Sequence, residues 1–160
     1  MDIKVIDNFL PEEEYLRIKN VMESTDFPWY FNPTKINTSK SIFNFHFGHV
    51  FYVNNAINSD FFELLNKIIE KLKPLSLIRI KANLTPVTHK LIKYDAHTDQ
   101  EFPSKAALYY VNTNNGYTVF GDKKVESIGN RIVLFNANEK HYGTNSTNCK
   151  DRIVINFNYF

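Results

Sequence analysis

The sequence predicts a mainly β fold with flanking helices, built as a sandwich, a jelly roll or a barrel. Short segments with a β pattern follow one another after Pro74 and are separated by turn residues. Two segments with helical periodicity precede them. Aromatic residues form 15% of the chain, so rings can fill the interior of a β-rich domain. The 160 residues fit one domain, 1–160, with a sizeable core.

The two predicted helices carry typical start and stop signals. The first begins near Pro11 and has three glutamates in its first turn, where the helix dipole favours negative charge. The second spans roughly 59–73, where Asp60 and Glu63 resemble a capping box and Pro74 ends the helix. Each helix has an apolar face, so we expect both to pack against one outer face of the strands.

The predicted strands are runs rich in β-branched and aromatic residues, bounded by turn residues. We predict strands at 43–47, 77–84, 90–94, 105–111, 117–120, 124–127, 131–135 and 152–159. The sequence Asn114-Asn115-Gly116 predicts a hairpin turn between two of these strands. Turn residues also concentrate at 33–42 and 101–104, which we predict to be the most mobile segments.

Composition argues against several classes of protein. Basic and acidic residues number 19 and 17, and the net charge of +2 gives no strong attraction to nucleic acid or membranes. No apolar run approaches the about 20 residues of a membrane span, and we expect no signal peptide. The single cysteine, Cys149, excludes an internal disulfide and a thiolate zinc site within one chain. We therefore expect a cytoplasmic protein.

One constellation of residues indicates metal chemistry. His97 and Asp99 lie two residues apart, a spacing that puts both side chains on the same side of a strand. His141 lies far downstream, and Arg152 follows it. Two imidazoles and one carboxylate are the triad that holds non-haem Fe(II) and leaves positions open for other ligands. A solvated loop histidine and aspartate are the alternative for the triplet, but the distant histidine and arginine favour a metal site with a carboxylate anchor.

These residues and their surroundings resemble the 2-oxoglutarate- and Fe(II)-dependent oxygenases, in particular the small prolyl-4-hydroxylase-like members, some of which phages encode. The resemblance covers most of the chain. It includes segments 7–13, 79–84, 94–99, 108–112 and 115–118, and finally His141 with 152–159. It implies a double-stranded β-helix, which is a distorted jelly roll with the metal inside.

The resemblance also implies roles for individual residues. His97, Asp99 and His141 match the iron ligands, and Arg152 matches the basic residue that pairs with the distal carboxylate of 2-oxoglutarate. Three further residues match positions that contact this cosubstrate or line its pocket: Tyr110, Thr118 and Asn83. A core tyrosine, a strand threonine and a turn asparagine are the alternatives for these three.

The chain departs from the family pattern at two places. Asn115-Gly116-Tyr117 stands where many members have Gly-Gly before the threonine, and some members use lysine where this chain has Arg152. Neither change threatens the iron chemistry, but both weaken any transfer of substrate identity.

Several polar residues outside the triad have two possible roles. Asn156 and Asn158 share the strand face of Arg152, so they either point into the cavity or serve the structure. We interpret His46 and His49 as ordinary half-buried histidines rather than substrate contacts. Cys149 either lines the entrance or is a small loop residue without special reactivity.

The resemblance implies a dioxygenase that uses Fe(II), 2-oxoglutarate and O2 to hydroxylate a C–H bond, with release of succinate and CO2. A protein or peptide side chain such as proline is the leading substrate. The alternatives are the same chemistry on a small metabolite, a free amino acid or a nucleobase, and a non-catalytic jelly-roll binding module. The charge balance disfavours nucleic acid, and the oligomeric state stays open. Because phages encode some members of the family, the expected location includes the cytoplasm of an infected host cell.

Overall fold

A computed structural model describes residues 3–35 and 41–160. Residues 36–40, part of the predicted mobile segment 33–42, lie outside the described residues. The described elements, in chain order, are β1 (Lys4–Ile6), α1 (Glu12–Met22), β2 (Tyr30–Asn32), β3 (His46–Val53), β4 (Ala56–Ile57), a 3-10 helix (Phe62–Leu65), α2 (Asn66–Leu72), β5 (Leu77–Pro86), β6 (Lys105–Tyr110), β7 (Tyr117–Phe120), β8 (Lys123–Glu126), β9 (Arg131–Asn136), β10 (His141–Gly143) and β11 (Asp151–Tyr159). None of the helices described here is long and apolar enough to cross a membrane.

The strands form a large and a small antiparallel sheet. The large sheet has the order β1-β9-β6-β11-β5-β3-β2, with β4 paired to β3, and the small sheet has the order β10-β7-β8. Side chains from both sheets form one buried apolar cluster, so the small sheet packs against the inner face of the large one. Its members include Leu108, Phe120, Val125, Phe135 and Val154. The predicted mainly β class with flanking helices is confirmed.

The two helices cover the outer face of the large sheet. Ile18 and Met22 of α1 and Ile68 of α2 are fully buried, in one cluster with Tyr109 of β6 and Phe157 of β11. Full burial of such side chains stabilises a fold by about 1.5–3 kcal/mol each. The predicted packing of both helices on one outer face is therefore confirmed.

Strand β11 lies at the centre of the large sheet, between β5 and β6. Its side chains alternate: Ile153, Ile155 and Phe157 belong to the cluster under the helices. The intervening residues face the small sheet, as the pleat requires. They pair in register with inner-face residues of β5: Arg152 with Thr85, Val154 with Asn83, Asn156 with Lys81, and Asn158 with Arg79. The inner face is therefore polar where β5 and β11 meet.

The predicted hairpin at Asn114-Asn115-Gly116 is wrong. Strands β6 and β7, which flank it, belong to different sheets, so this connection crosses from one sheet to the other. The Asn114 Oδ1 accepts a hydrogen bond from the Gly116 amide at 2.9 Å, which forms a local side-chain turn. The hairpin of this region instead joins β7 and β8 through Gly121, whose φ of +53° suits glycine.

Other differences concern where elements begin and end. The second helical segment starts as a 3-10 turn at Phe62, and the Ser59 hydroxyl, rather than Asp60, accepts the Phe61 amide at 3.0 Å. The predicted strand 90–94 makes only an isolated bridge at Lys93. The predicted strand 43–47 is replaced by the later β3, whose register follows from pairing with β5. Tertiary pairing thus decides these boundaries rather than local pattern.

Asn130 connects the N-terminal segment to the large sheet. Its backbone lies in the left-handed region at φ +62°. Its side chain accepts the Leu10 amide at 2.9 Å and the Tyr109 hydroxyl at 3.0 Å, and donates to the Leu10 carbonyl at 2.8 Å. One buried asparagine therefore satisfies three polar groups from two parts of the chain.

We expect Asn130→Ala to lower the free energy of unfolding by about 3 kcal/mol, because it strands buried donors and adds strain at positive φ. Urea unfolding followed by circular dichroism measures this loss. Asn55→Ala is the matched control, since Asn55 also has a positive φ, of +59°, but is exposed, so we expect a loss of only about 1 kcal/mol. Equal losses in the two variants would contradict the role of the buried hydrogen bonds.

Candidate functional site

A cavity of about 280 Å³ lies between the two sheets. The small sheet contributes Thr118 and two residues of β10 to its wall. The large sheet contributes mostly the polar inner-face residues of β5 and β11: Arg79, Lys81, Asn83, Thr85, Arg152 and Asn156. The alternation of these two strands thus places polar groups where a jelly roll would otherwise have an apolar core.

Three potential metal ligands meet at one part of the cavity wall. One ligand atom from each of His97, Asp99 and His141 lies within 4.8 Å of the others. The His141 Nε2 is 4.0 Å from the Asp99 Oδ1. His97 and His141 exchange both backbone hydrogen bonds at 2.9 Å, and this bridge holds two distant segments together. In the described part of the chain, no fourth histidine, cysteine or acid joins them.

This donor set fits a catalytic rather than a structural metal. Ligand atoms lie about 2.0–2.2 Å from a shared ion, so small side-chain rotations suffice for all three to reach one. Two imidazole nitrogens and one carboxylate suit Fe(II) and leave coordination positions open. A closed structural zinc site would need a fourth protein ligand.

The surroundings of His141 fix how its ring can bind a metal. The Nδ1 lies 3.0 Å from the Glu139 carbonyl oxygen, which accepts only if Nδ1 carries the proton. The other ring nitrogen, Nε2, is then free for a metal. The ring packs on Phe120 and Phe135, with centroids 5.3 Å and 5.1 Å away. His97 is exposed, so the site opens to solvent on its side.

Two asparagines of β11 hold Asp99. The Asn156 amide donates to Oδ2 at 2.8 Å, and the Asn158 amide donates to the same oxygen at 3.3 Å. The Asp99 backbone amide donates to the Ala137 carbonyl at 2.9 Å. Oδ1 therefore remains for a metal. Of the two roles considered for these asparagines, Asn156 faces the cavity, while Asn158 is fully buried and is not part of the cavity wall.

Arg152 lies buried at another part of the cavity wall. Its Nε donates to the Ser127 hydroxyl at 2.7 Å and one terminal nitrogen donates to Thr118 Oγ1 at 2.9 Å. Burial lowers the pKa of Arg152, but a guanidinium keeps its charge. Among the described residues, no carboxylate forms an ion pair with it. The remaining nitrogen, Nη1, is therefore suited to an external carboxylate.

Two glycines make room for Arg152. A Cβ at Gly116 would lie 2.6 Å from the Arg152 Cδ, and a Cβ at Gly143 would lie 3.4 Å from its Nη1. Gly116 belongs to the segment 115–117, where the chain departs from the family pattern. A glycine is needed there because any side chain would collide with Arg152.

The structure places the other predicted cosubstrate residues at different depths. Thr118 and Asn83 line the cavity. Tyr110 is fully buried and lies behind Thr118, to which its hydroxyl donates at 2.9 Å, and it is not part of the cavity wall. Thr118 Oγ1 accepts from both Tyr110 and Arg152, which leaves its own proton for a ligand oxygen. The cosubstrate roles of these residues stay predictions.

Sequence reasoning missed several residues of the cavity wall. Lys35 and Tyr94 belong to it, and the Lys35 ammonium lies 3.9 Å from the centre of the Tyr94 ring. Arg79 and Lys81 also belong to it, and polar residues at every second position of β5 were the signal that could have found them. His46, interpreted from sequence as an ordinary half-buried histidine, is buried and lines the cavity.

No family model matches this sequence, and none of the curated proteins searched matches it. Solved structures do match. The chain is similar to a prolyl hydroxylase from Trichoplax adhaerens, solved with a peptide fragment of hypoxia inducible factor: 14% identity, TM-score 0.64, covering 99% of this chain and 83% of that one. It is also similar to a Pseudomonas putida prolyl-4-hydroxylase, with 15% identity and a TM-score of 0.60, over 98% of this chain and 91% of that one. The third similar structure is the non-heme alpha ketoglutarate dependent epimerase SnoN from nogalamycin biosynthesis. Its identity is 13% and its TM-score 0.69, over 99% of this chain and 77% of that one.

The chain has the prolyl hydroxylase fold. This fold is shared with a further similar structure, described as a 2OG-Fe(II) oxygenase family member from Burkholderia pseudomallei. The predicted double-stranded β-helix is thereby confirmed. At such low identities the likeness shows the fold alone, so the chemistry depends on the site described above.

We expect Asn156→Ala to weaken metal binding about tenfold to 100-fold, because Asp99 loses its closest hydrogen-bond donor. Anaerobic Fe(II) titration and, in parallel, Mn(II) titration measure the dissociation constant. Asn115→Ala, on the exposed connection between β6 and β7, is the control and should bind the metal like the unchanged protein. An unchanged metal affinity in the Asn156 variant would show that Asp99 needs no positioning.

Burial, together with nearby Lys81 and Lys35, lowers the pKa of His46 to about 3. Between pH 6.5 and pH 4.5 the unfolded chain therefore takes up a proton at this residue that the folded protein does not. His46 thus lowers the stability of the fold as the pH falls. We expect His46→Gln to reduce the loss of unfolding free energy between pH 7.5 and pH 4.5 by about 2.5 kcal/mol.

Urea unfolding at the two pH values measures this difference. Exposed His89, replaced in the same way by glutamine, is the control and should leave the pH dependence of the wild type in place. If the His46 variant loses as much unfolding free energy between the two pH values as the wild type does, His46 is not a buried, neutral imidazole in the folded protein.

Proposed function

We propose that this protein is an Fe(II)- and 2-oxoglutarate-dependent dioxygenase that hydroxylates a C–H bond. The observation that carries the proposal is a single cavity whose wall contains both a three-ligand metal site and a buried arginine that pairs with no carboxylate of the described residues. A structural metal has no use for such an arginine.

Each group of residues has a distinct task in this proposal. His97, Asp99 and His141 would hold Fe(II), and the ion, with 2-oxoglutarate and O2, supplies the oxidation that puts one oxygen atom on the substrate and one in succinate, with release of CO2. Arg152 binds the distal carboxylate of 2-oxoglutarate, and the Thr118 hydroxyl donates to it. Leu108 and Val154 form an apolar part of the wall and limit access of water.

A protein or peptide side chain such as proline is the substrate that we favour. Two of the similar structures are prolyl hydroxylases, and one of them holds a peptide. The open side of the metal site at His97 leaves room for a residue presented by a larger molecule. The same chemistry on a small molecule is the second candidate, because an epimerase of nogalamycin biosynthesis has this fold as well.

We propose further that the protein works in a reducing compartment such as the cytoplasm. Cys149 is the only cysteine of the chain and is partly buried, so the fold makes no use of disulfides.

We expect purified protein to form succinate from 2-oxoglutarate slowly when Fe(II) and O2 are present, even without a substrate. His97→Ala should abolish this turnover, because the metal loses a ligand. Arg152→Met should raise the KM for 2-oxoglutarate roughly 100-fold, since a charged hydrogen-bond partner is lost. Chromatographic detection of succinate measures both effects.

Arg17→Met removes an exposed arginine of α1 and serves as the matched control, with unchanged KM. If the unchanged protein forms no succinate and anaerobic titration detects binding of neither Fe(II) nor 2-oxoglutarate, the oxygenase proposal is wrong and a binding module takes its place.

A further inference from the structure

The cavity holds more positive charge than the proposed cosubstrate requires. Its wall carries four cationic side chains, Lys35, Arg79, Lys81 and Arg152, and one carboxylate, Asp99. A divalent metal ion and dianionic 2-oxoglutarate cancel each other's charge. After both have bound, the basic side chains of the wall still outnumber its one carboxylate among the described residues, so the loaded cavity attracts a further anion.

The four cations form two pairs at different places. Lys35 donates to the Thr85 hydroxyl at 2.6 Å, and Thr85 is the register partner of Arg152. Lys35 and Arg152 therefore share the part of the cavity assigned to the distal carboxylate of 2-oxoglutarate. Burial and the neighbouring cations lower the pKa of Lys35 well below its usual value, so a bound anion would favour its charged form.

The second pair, Lys81 and Arg79, lies beside the metal ligands. Lys81 is the register partner of Asn156, and Arg79 is the register partner of Asn158. These two asparagines hold Asp99. Asn156 lies four residues along β11 from Arg152, about 13 Å of strand. Lys81 and Arg79 thus lie away from the part of the cavity assigned to the distal carboxylate of 2-oxoglutarate.

Unpartnered polar atoms mark the same place. Among the described residues, only three buried side-chain nitrogen or oxygen atoms lack a hydrogen-bond partner: His46 Nδ1, Arg79 Nε and Asn156 Oδ1. All three residues line the cavity. His46 and Asn156 are only 5% and 6% exposed, so their unpaired atoms depend for a partner on what occupies the cavity. An unpaired buried polar atom in a native protein calls for an explanation, and a bound ion or ligand is one.

Two of these three atoms are donors, and the third, Asn156 Oδ1, is an acceptor. The Lys81 ammonium lies 3.3 Å from His46 Nε2 and can only donate, so Nε2 accepts and Nδ1 carries the ring proton. His46 Nδ1 and Arg79 Nε therefore both present N–H groups without acceptors. No described carboxylate forms an ion pair with Lys81 or Arg79, and residues 36–40 contain no acid. Donors and uncompensated cations together fit an oxyanion.

We propose that the substrate of this enzyme carries a carboxylate or phosphate group, which Lys81, Arg79 and His46 bind next to the metal. The inference rests on the proposed function and specifies its substrate class. Lys81 also borders an open groove that Tyr30, Asn32 and Phe61 line. The oxyanion can thus belong to a small molecule inside the cavity or to a peptide side chain that enters from the groove.

Calorimetric titration of inorganic phosphate tests the oxyanion site directly. The protein is first saturated with Mn(II) and 2-oxoglutarate, so that the Arg152 region is occupied and no turnover takes place. We expect phosphate to bind without displacing 2-oxoglutarate, and Lys81→Met and Arg79→Met each to weaken it about tenfold or more. Lys67→Met, on the exposed face of α2, is the matched control and should bind phosphate normally.

The outcomes separate this inference from the proposed function. Failure of 2-oxoglutarate to bind in the first step contradicts the proposed function, while phosphate titration of the protein alone still tests Lys81 and Arg79. Normal 2-oxoglutarate binding with no phosphate binding, or with equal phosphate affinity in the Lys81 and Arg79 variants, overturns the inference alone.

Succinate formation then identifies the source of the oxyanion. Phosphoserine is compared with serine, and a peptide with Pro-Glu is compared with the same peptide with Pro-Gln. We expect the acidic member of one pair to accelerate succinate formation, and Lys81→Met to remove the difference between the members. Equal acceleration by acidic and neutral members in the unchanged protein overturns the inference.

Thermal unfolding excludes a merely structural role of Lys81. Burial and the charge of Arg79 lower the pKa of Lys81, which shows that the cation is not stabilised in the unliganded fold. We expect the Tm of Lys81→Met to equal or exceed that of the unchanged protein. A clearly lower Tm together with lost phosphate binding would indicate a structural residue and overturn the inference.

Discussion

The alternation of side chains along β11 is the constraint on which the rest of the structure depends. Ile153, Ile155 and Phe157 are drawn under the helices by hydrophobic burial. Because a strand has a period of two, Arg152 and Asn156 must then face the small sheet. A slip of one residue would bury the guanidinium under the helices and expose three large apolar side chains. The apolar face therefore fixes the position of the polar one.

The same strand makes the cavity electrostatically unusual. Pairing with β5 brings Lys81 and Arg79 beside the asparagines that orient Asp99, while Lys35 and Arg152 share another region. Cations without a carboxylate partner among the described residues cost stability when they lie in a cavity wall, and a fold retains them only when something else is gained. In our proposal the gain is affinity for anions, one pair serving the cosubstrate and the other the molecule to be oxidised.

The chemistry of the site was more predictable from sequence than its geometry. His97, Asp99, His141 and Arg152 stand out because their residue types match one ligand set, and the fold that this pattern implied is the one observed. Lys81 escaped notice because a lysine on a strand is ordinarily solvated, and only pairing with β11 puts it inside. The prediction of a hairpin at Asn114-Asn115-Gly116 was wrong for a related reason. A local turn sequence does not determine which sheet each flanking strand joins.

The position of β11 has a further consequence for how the protein forms. It follows every other strand in the chain, yet it is the central link between β5 and β6 in the large sheet. During synthesis, β5-β3-β2 and β6-β9-β1 therefore emerge as two half-sheets with open edges. Long-range strand pairing of this kind is slow, and open edges are prone to pair with the wrong chain. The nine residues that complete the cavity are also those that end the vulnerable, aggregation-prone stage of folding.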